Sequence, residues 1–226
     1  MKNKHNVPSM EWSLLNIKNL GFNPKVAIDV GAYNGEWTAM FKKIFPDARV
    51  LMVEAQNSKA DNLKNLTTQL PGTAFHIGLL GATSGQQIVF NINETVSSAL
   101  PEYKENTFAK ETRTTESLDD VIAKAGTDFN APDFIKLDVQ GYELEVLKGA
   151  AGAIKTAQFI LCEVSLIEIN KGAPLIAEVI AFMNAKGFAV YDICSFIRRP
   201  LDRALWQTDI LFVNKTNPLA QNKHWN

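Results

Sequence analysis

The chain has 226 residues, 46% of them hydrophobic and 21% charged, with a formal net charge of −1. That composition describes one globular domain and lacks the basic excess of a nucleic-acid surface, so nucleic acid is not an expected partner. No apolar run approaches the roughly 18 residues of a membrane span, and Met1 to Asn6 lacks an apolar stretch behind its lysines, so no signal peptide is expected.

In chain order, Val7 to Leu20 places Met10, Leu14 and Ile17 at helical spacing, with Gly21 and Pro24 as stop signals. Lys25 to Val30 is a compact apolar run ending in a glycine-rich turn. Glu36 to Phe45 reads as a helix stopped by Pro46. Val50 to Glu54 predicts a second strand, Asn57 to Leu70 a polar helix and Ala74 to Leu80 a third strand. This alternation calls for parallel strands covered on both faces by helices. Gln87 to Ile92 reads as an extra strand, followed by a polar stretch without a clear pattern. Helical spacing resumes at Ser117 with Leu118, Val121 and Ile122. A strand at Phe134 to Val139, a helix from Tyr142 to Ile154 and a strand at Phe159 to Val164 come next. Pro174 is expected in the first turn of a helix ending near Lys186-Gly187. Phe188 to Ile193 and Thr208 to Val213 have no helix between them and predict an antiparallel pair closing the sheet. Cys162 and Cys194 lie within apolar runs, where buried free thiols are expected over a disulfide, making a cytoplasmic protein the default. No repeat or linker divides the chain. The expected organisation is a helical segment over 1–22 packed on a domain over 23–216, with a tail at 217–226.

Two places carry chemistry. Asp29 ends the first strand, and Gly31 and Gly35 bracket a tight turn into a helix. Glycine there permits positive φ and close approach of a ligand to the backbone, and helix-start N–H groups suit an anionic group. Glu54, at the end of the next strand, stands where an acid holds a ribose diol in Rossmann-type sites. The dinucleotide fingerprint needs a middle glycine for the pyrophosphate. Tyr33 stands at that position, so the turn favours S-adenosylmethionine over NAD, with Asp29 expected near the methionine end. Cofactor candidates are Asp29, Gly31, Ala32, Tyr33, Asn34, Gly35, Glu54, Ala55 and Asp138. The second place is Lys136-Leu137-Asp138-Val139-Gln140-Gly141-Tyr142-Glu143. Asp138 falls at the carboxyl end of the fourth core strand, the edge where open α/β sheets bind ligands. A helix N-cap is its structural alternative, and Lys136 reads either as a lysine reaching water or as a carboxylate's partner.

These residues resemble the FkbM family of SAM-dependent methyltransferases. The resemblance runs through Ala27 to Gly35, Glu54-Ala55, Phe134 to Ala150, Leu161 to Val164 and Asp209 to Val213, covering about Gly21 to Lys215. Lys-x-Asp-Val-x-Gly-x-Glu is its most specific segment. Two positions depart from the family's commoner wording: Gln140 stands for Glu, and Tyr33 for Asn. The resemblance implies a Rossmann-like class I methyltransferase, α/β with a seven-stranded, mostly parallel sheet, an antiparallel last strand and helices on both faces. It also implies O-methylation of a sugar or other hydroxylated small molecule, with a saccharide or natural product as partner.

Asp138 is the expected catalytic base or hydroxyl-orienting group, and Glu163 the second catalytic candidate. Two oxygen ligands on adjacent strands make Mg²⁺ possible without defining a metal site. An NAD-dependent oxidoreductase and a SAM-binding module without turnover are the rival functions. His76 is expected as a hydrogen-bonded core histidine, and Trp12 and Trp37 as packing residues. Trp206 is an alternative cover for the acceptor, Ser97 and Ser98 lie near the cofactor side, and Glu102 to Glu116 reads as a solvated loop or a lid. Acceptor identity and oligomeric state are not determined by these patterns.

Overall fold

The computed structural model describes residues 7–92, 97–101, 109–168 and 170–224. In chain order these form α1 (Met10–Asn19), β1 (Val26–Val30), α2 (Glu36–Ile44), β2 (Arg49–Glu54), α3 (Ala60–Gln69), β3 (Thr73–Ile77), β4 (Leu79–Leu80) and β5 (Gln87–Ile92). They continue with β6 (Ala109–Glu116), α4 (Leu118–Ala125), β7 (Phe134–Leu137), α5 (Glu143–Lys148), α6 (Ala151–Thr156) and β8 (Phe159–Ser165). The last elements are α7 (Ile176–Ala185), β9 (Phe188–Ile193), β10 (Ile197–Arg198), β11 (Leu205–Asn214) and α8 (Pro218–Gln221).

Every residue of β1, β7 and β8 is buried, as near-continuous apolar runs require of parallel strands covered on both faces. The large sheet runs β3-β2-β1-β7-β8-β11, with β9 and β10 both on the outer side of β11. Strands β3, β2, β1, β7 and β8 are parallel to one another, and β11 is antiparallel to β8. Eight strands therefore stand where seven were expected, because the edge strand is broken into β9 and β10. Between them the Ser195 carbonyl accepts the Thr208 hydroxyl (2.6 Å), and the Ser195 hydroxyl accepts Asp209 N–H (2.9 Å). They supplement the one backbone bond in this gap, from Cys194 N–H to Asp209 O (2.7 Å).

Strand alternation splits the core. Ile28, Val30, Ile135 and Ile160 join residues of α4 to α7 on one face. Ala27, Phe134, Phe159 and Leu161 join Leu14 and Ile17 of α1 and Phe41 of α2 on the other. The second face is built on aromatic contact: Trp37 stacks on Phe41 at 4.7 Å, and Phe41 lies 5.2 Å from Phe134. Each fully buried phenylalanine contributes about 1.5–3 kcal/mol relative to exposure. Ser9 caps α1 by accepting Trp12 N–H, and Ser13 donates to Asp192 at 2.6 Å, tying α1 to β9.

Several boundaries differ from the sequence reading. The helix expected over 142–154 is two helices, bent at Gly149, where a Cβ would lie 2.2 Å from Gly81 O. The extra strand at 87–92 joins a separate sheet, β4-β6-β5. Residues 109–116 form β6 rather than a loop or lid; their sequence, AKETRTTE, has no apolar alternation, and pairing with β5 decides their conformation. Residues 102–108 lie outside the described residues, as does His5. Pro174 precedes the Leu175 N-cap of α7 instead of entering its first turn. Both cysteines are buried and free, and no described helix is long and apolar enough to cross a membrane.

The turn after β7 is held from inside. Gln140 adopts φ +55° and Gly141 φ +94°, and a Glu143 carboxylate oxygen accepts Val139 N–H (2.9 Å) and Gly141 N–H (3.2 Å). Burial pushes the Glu143 carboxyl from 4.5 up to about 7, against the lowering effect of those backbone bonds. The fold thus favours the protonated acid. This contribution is full below about pH 4.5 and is lost as pH rises through 7, a difference of about 3 kcal/mol. Glu143→Gln keeps the acceptor and removes the titration. Urea denaturation at about pH 5 and pH 8 should show the variant gaining on wild type at the higher pH by a few kcal/mol. Parallel pH dependence of the two proteins would exclude this role.

Candidate active site

The first turn is fixed by contacts to the neighbouring strands. Gly31 (φ +74°) lies against the end of β7, where a Cβ would fall 1.8 Å from Asp138 O. Gly31 N–H and Ala32 N–H both donate to Val53 O, at 2.9 and 3.1 Å. Tyr33 adopts φ +51°, unusual for a side-chain-bearing residue. Its N–H donates to one Glu54 oxygen (2.8 Å), while Gln56 N–H donates to the other (2.8 Å). Burial raises the Glu54 carboxyl above its ordinary value, opposed by these two bonds. Lys59 Nζ sits 3.8 Å from the centre of the Tyr33 ring, and Arg113 of β6 donates to Ala55 O at 2.9 Å.

These turns border a cavity of about 470 Å³ over the carboxyl ends of β1, β2 and β7, within the ordinary range for small-molecule sites. Of the cofactor and catalytic candidates named from the sequence, Gly31, Ala32, Tyr33, Glu54, Ala55 and Asp138 line it. Four others do not. Asp29 is fully buried; one oxygen accepts the Thr38 hydroxyl (2.7 Å), and the other lies 3.2 Å from Lys136 Nζ. That second contact lacks hydrogen-bond alignment, so the attraction there is ionic. The cation beside Asp29 is thus Lys136, and Asp29, expected near the methionine end of the cofactor, lies behind the cavity wall. Asn34 is bonded to Glu36 and Asn62. Gly35 (φ +84°) turns toward the core, where a Cβ would meet a Leu66 methyl at 2.2 Å. Glu163 is 8% exposed and reaches the site only through Gln140.

Gln140 is the main residue the sequence left without a role. Its side-chain amide nitrogen donates to Asp138 (3.1 Å) and Glu163 (3.2 Å), while its backbone carbonyl accepts from the Ser98 hydroxyl and the Asn170 amide, both at 3.0 Å. A neutral donor bridging two carboxylates is a sound reason for Gln where the family's commoner residue is Glu. Burial, then Asp138, raises the Glu163 carboxyl well above its ordinary value. Asp209, beside Glu163 in register, is raised by burial too. Mg²⁺ gains no support: the amide spans Asp138 and Glu163, and no metal-binding group of three His, Cys, Asp or Glu occurs among the described residues.

Leu79, Leu80, Phe90, Ser97, Val139 and Tyr142 also line the cavity, as do Met10, Trp37 and Met40 toward α1. Only tertiary packing brings these together, since no short spacing joins them. His76 is partly exposed and bonded to Glu116 at 2.6 Å, outside the cavity lining. Trp206 is half-buried and likewise outside it.

Gly31→Ala should destabilise the fold by at least about 2 kcal/mol, combining left-handed strain with overpacking. Gly85→Ala, with comparable φ (+89°) but open space around it, should lose only the strain. Equal losses in paired denaturant titrations would show that the Gly31–Asp138 approach is not restrictive.

Comparison with known proteins places this geometry. The Methyltransferase FkbM domain matches residues 29–190. The hexuronic acid methyltransferase AglP of Haloferax volcanii is 27% identical over 117 residues, covering 52% of this chain and 47% of that protein. The crystal structure of methyltransferase FkbM from Methylobacillus flagellatus KT superposes with a TM-score of 0.55 at 18% identity, over 91% of this chain and 48% of that one. The chain therefore spans about half the length of both relatives. Because the domain match spans most of the chain and takes in the strand ends that face the cavity, the assignment follows: the chain belongs to the FkbM methyltransferase family.

Proposed function

We propose that this protein transfers a methyl group from S-adenosylmethionine to a hydroxyl of a saccharide, with Asp138 receiving the hydroxyl proton. The observation carrying this reading is that Asp138, 38% exposed at its side chain, lines the same cavity as the Gly31 turn and Glu54. The cofactor, when bound, supplies an electrophilic sulfonium methyl.

The residues present fit that group. Glu54 faces the cavity at the end of β2, positioned for a ribose diol, and Leu79, Leu80 and Val139 offer apolar surface for a base. Gly31 leaves room that a Cβ would fill. Tyr33 and Ala55 contribute to the same wall, with Ala32 beside them. Asp29, Asn34 and Gly35 act behind it, shaping the turn.

Asp138 orients the acceptor hydroxyl and takes its proton as the oxygen gains the methyl. Gln140 fixes the Asp138 carboxylate, and Glu163 holds Gln140 in place. Glu163 therefore supports the base, which revises its standing as an independent catalytic candidate. Among charged residues of the lining, Glu36, Glu54 and Asp138 outnumber Lys136. That balance favours a neutral hydroxyl over an anionic carboxylate as the methylated group. The hexuronic acid methyltransferase relative supports a sugar as the acceptor class. The family assignment argues against the NAD-dependent alternative, and no observation favours binding without turnover.

Calorimetric titration with S-adenosylhomocysteine should show binding by wild type and a large loss in Glu54→Ala. Hexuronic acid glycosides and neutral hexosides are then tested as acceptors with labelled cofactor. Base-stable methyl ether is the expected product, and Asp138→Asn should lower turnover about 10²–10⁴-fold. A base-labile methyl ester would identify a carboxylate acceptor instead. Undiminished turnover by Asp138→Asn would remove the base assignment.

A further inference from the structure

The four residues Asp29, Lys136, Asp138 and Gly31 meet at one point beneath the cavity. Lys136 is registered opposite Asp29 across β1 and β7, and its side chain is 6% exposed. Its ammonium donates to Gly31 O (2.8 Å) and Val30 O (3.3 Å), pairs with Asp29 (3.2 Å) and lies 3.7 Å from Asp138. One cation thus touches the cofactor turn and the carboxylate of the acceptor side. Lys136 lines the cavity, whereas Asp29 does not.

We propose that Lys136 is a positioning residue of the transfer reaction, tying the cofactor turn to Asp138 and holding a fixed positive charge beside the transferring methyl. This rests on the reading of Asp138 as the base. With the cofactor bound, the site would hold a sulfonium and an Asp138 carboxylate before transfer. The acceptor oxygen–methyl bond forms as the sulfur–methyl bond breaks, and the hydroxyl proton passes to Asp138, leaving a neutral thioether and a neutral acid. The Lys136–Asp29 pair keeps its charges throughout. Burial alone would lower the Lys136 ammonium, but Asp29 and then Asp138 outweigh it and raise it, so the charge persists.

Two consequences need no acceptor to measure. The bond to Gly31 O makes the turn's shape depend on Lys136, so cofactor affinity does too. The ammonium also opposes the positively charged cofactor more than its neutral product, whereas Asp138 does the reverse.

The test compares binding of S-adenosylmethionine and S-adenosylhomocysteine by calorimetry in wild type, Lys136→Gln, Asp138→Asn and the double variant Asp29→Asn/Lys136→Gln. The double variant removes the buried pair together, so neither partner remains as an uncompensated charge. Thermal melting confirms that each variant is folded. In the double variant, which removes one charge of each sign, S-adenosylhomocysteine affinity should fall about tenfold, whereas in folded Lys136→Gln, which removes the positive charge alone, preference for S-adenosylmethionine over it should rise several-fold. In Asp138→Asn that preference should fall. A folded double variant with unchanged product affinity, or a folded Lys136→Gln with unchanged preference, overturns the proposal. Failure of the base assignment reads differently: Asp138→Asn would then keep its methyl-transfer activity, while the loss of product affinity in the double variant would remain.

Discussion

The approach of Gly31 to the backbone of Asp138 is the constraint on which the site depends. Strands β1 and β7 are parallel neighbours, and both end at the edge where the cavity lies. A side chain at position 31 would occupy the Asp138 carbonyl. Glycine lets the first turn rest directly on the second, which places Gly31, Ala32, Tyr33 and Asp138 around one space. It also brings Gly31 O within 2.8 Å of Lys136 Nζ, a contact a longer detour of the chain would lose. The two turns carry side-chain-bearing residues with positive φ, Tyr33 and Gln140. Such conformations cost about 1–3 kcal/mol each. Glu54 and Glu143 offset that cost, each accepting two backbone N–H groups of the turn or its flanks.

Acids predominate around this edge, and burial is the leading cause that raises Glu54, Glu143, Glu163 and Asp209. Lys136 is the counterweight at the point where β1 meets β7. The arrangement suits a reaction in which positive charge on sulfur and negative charge on a carboxylate vanish together. Alignment is the larger task in such a transfer: holding reactants in line supplies roughly 7–11 kcal/mol, against some 3–5 kcal/mol from a positioned base of 10²–10⁴-fold effect. In the proposed transfer, the fixed geometry of the joined turns is therefore at least as relevant to rate as the basicity of Asp138.

The sequence by itself determined the α/β class and the location of the first turn. Apolar runs such as Val26–Val30 and Phe159–Ser165 can be buried on both faces only in a covered parallel sheet, and Gly31 and Gly35 punctuate the strand-to-helix change. It also placed Glu54 and Asp138 at strand ends, because a strand's apolar run shows where it stops. It did not show β6, whose polar sequence is shaped by pairing with β5, nor the bend at Gly149, set by contact with Gly81. Tertiary structure alone decided that Asp29 faces Lys136 and Thr38, since the strands carrying Asp29 and Lys136 lie more than a hundred residues apart in sequence. It likewise decided that Gln140 bridges Asp138 and Glu163 and that α1 lends Met10 to the cavity wall. Local pattern encodes which residues are apolar and where the chain can turn. Partners of buried charges depend on lateral strand order and register, which only the packed sheet specifies.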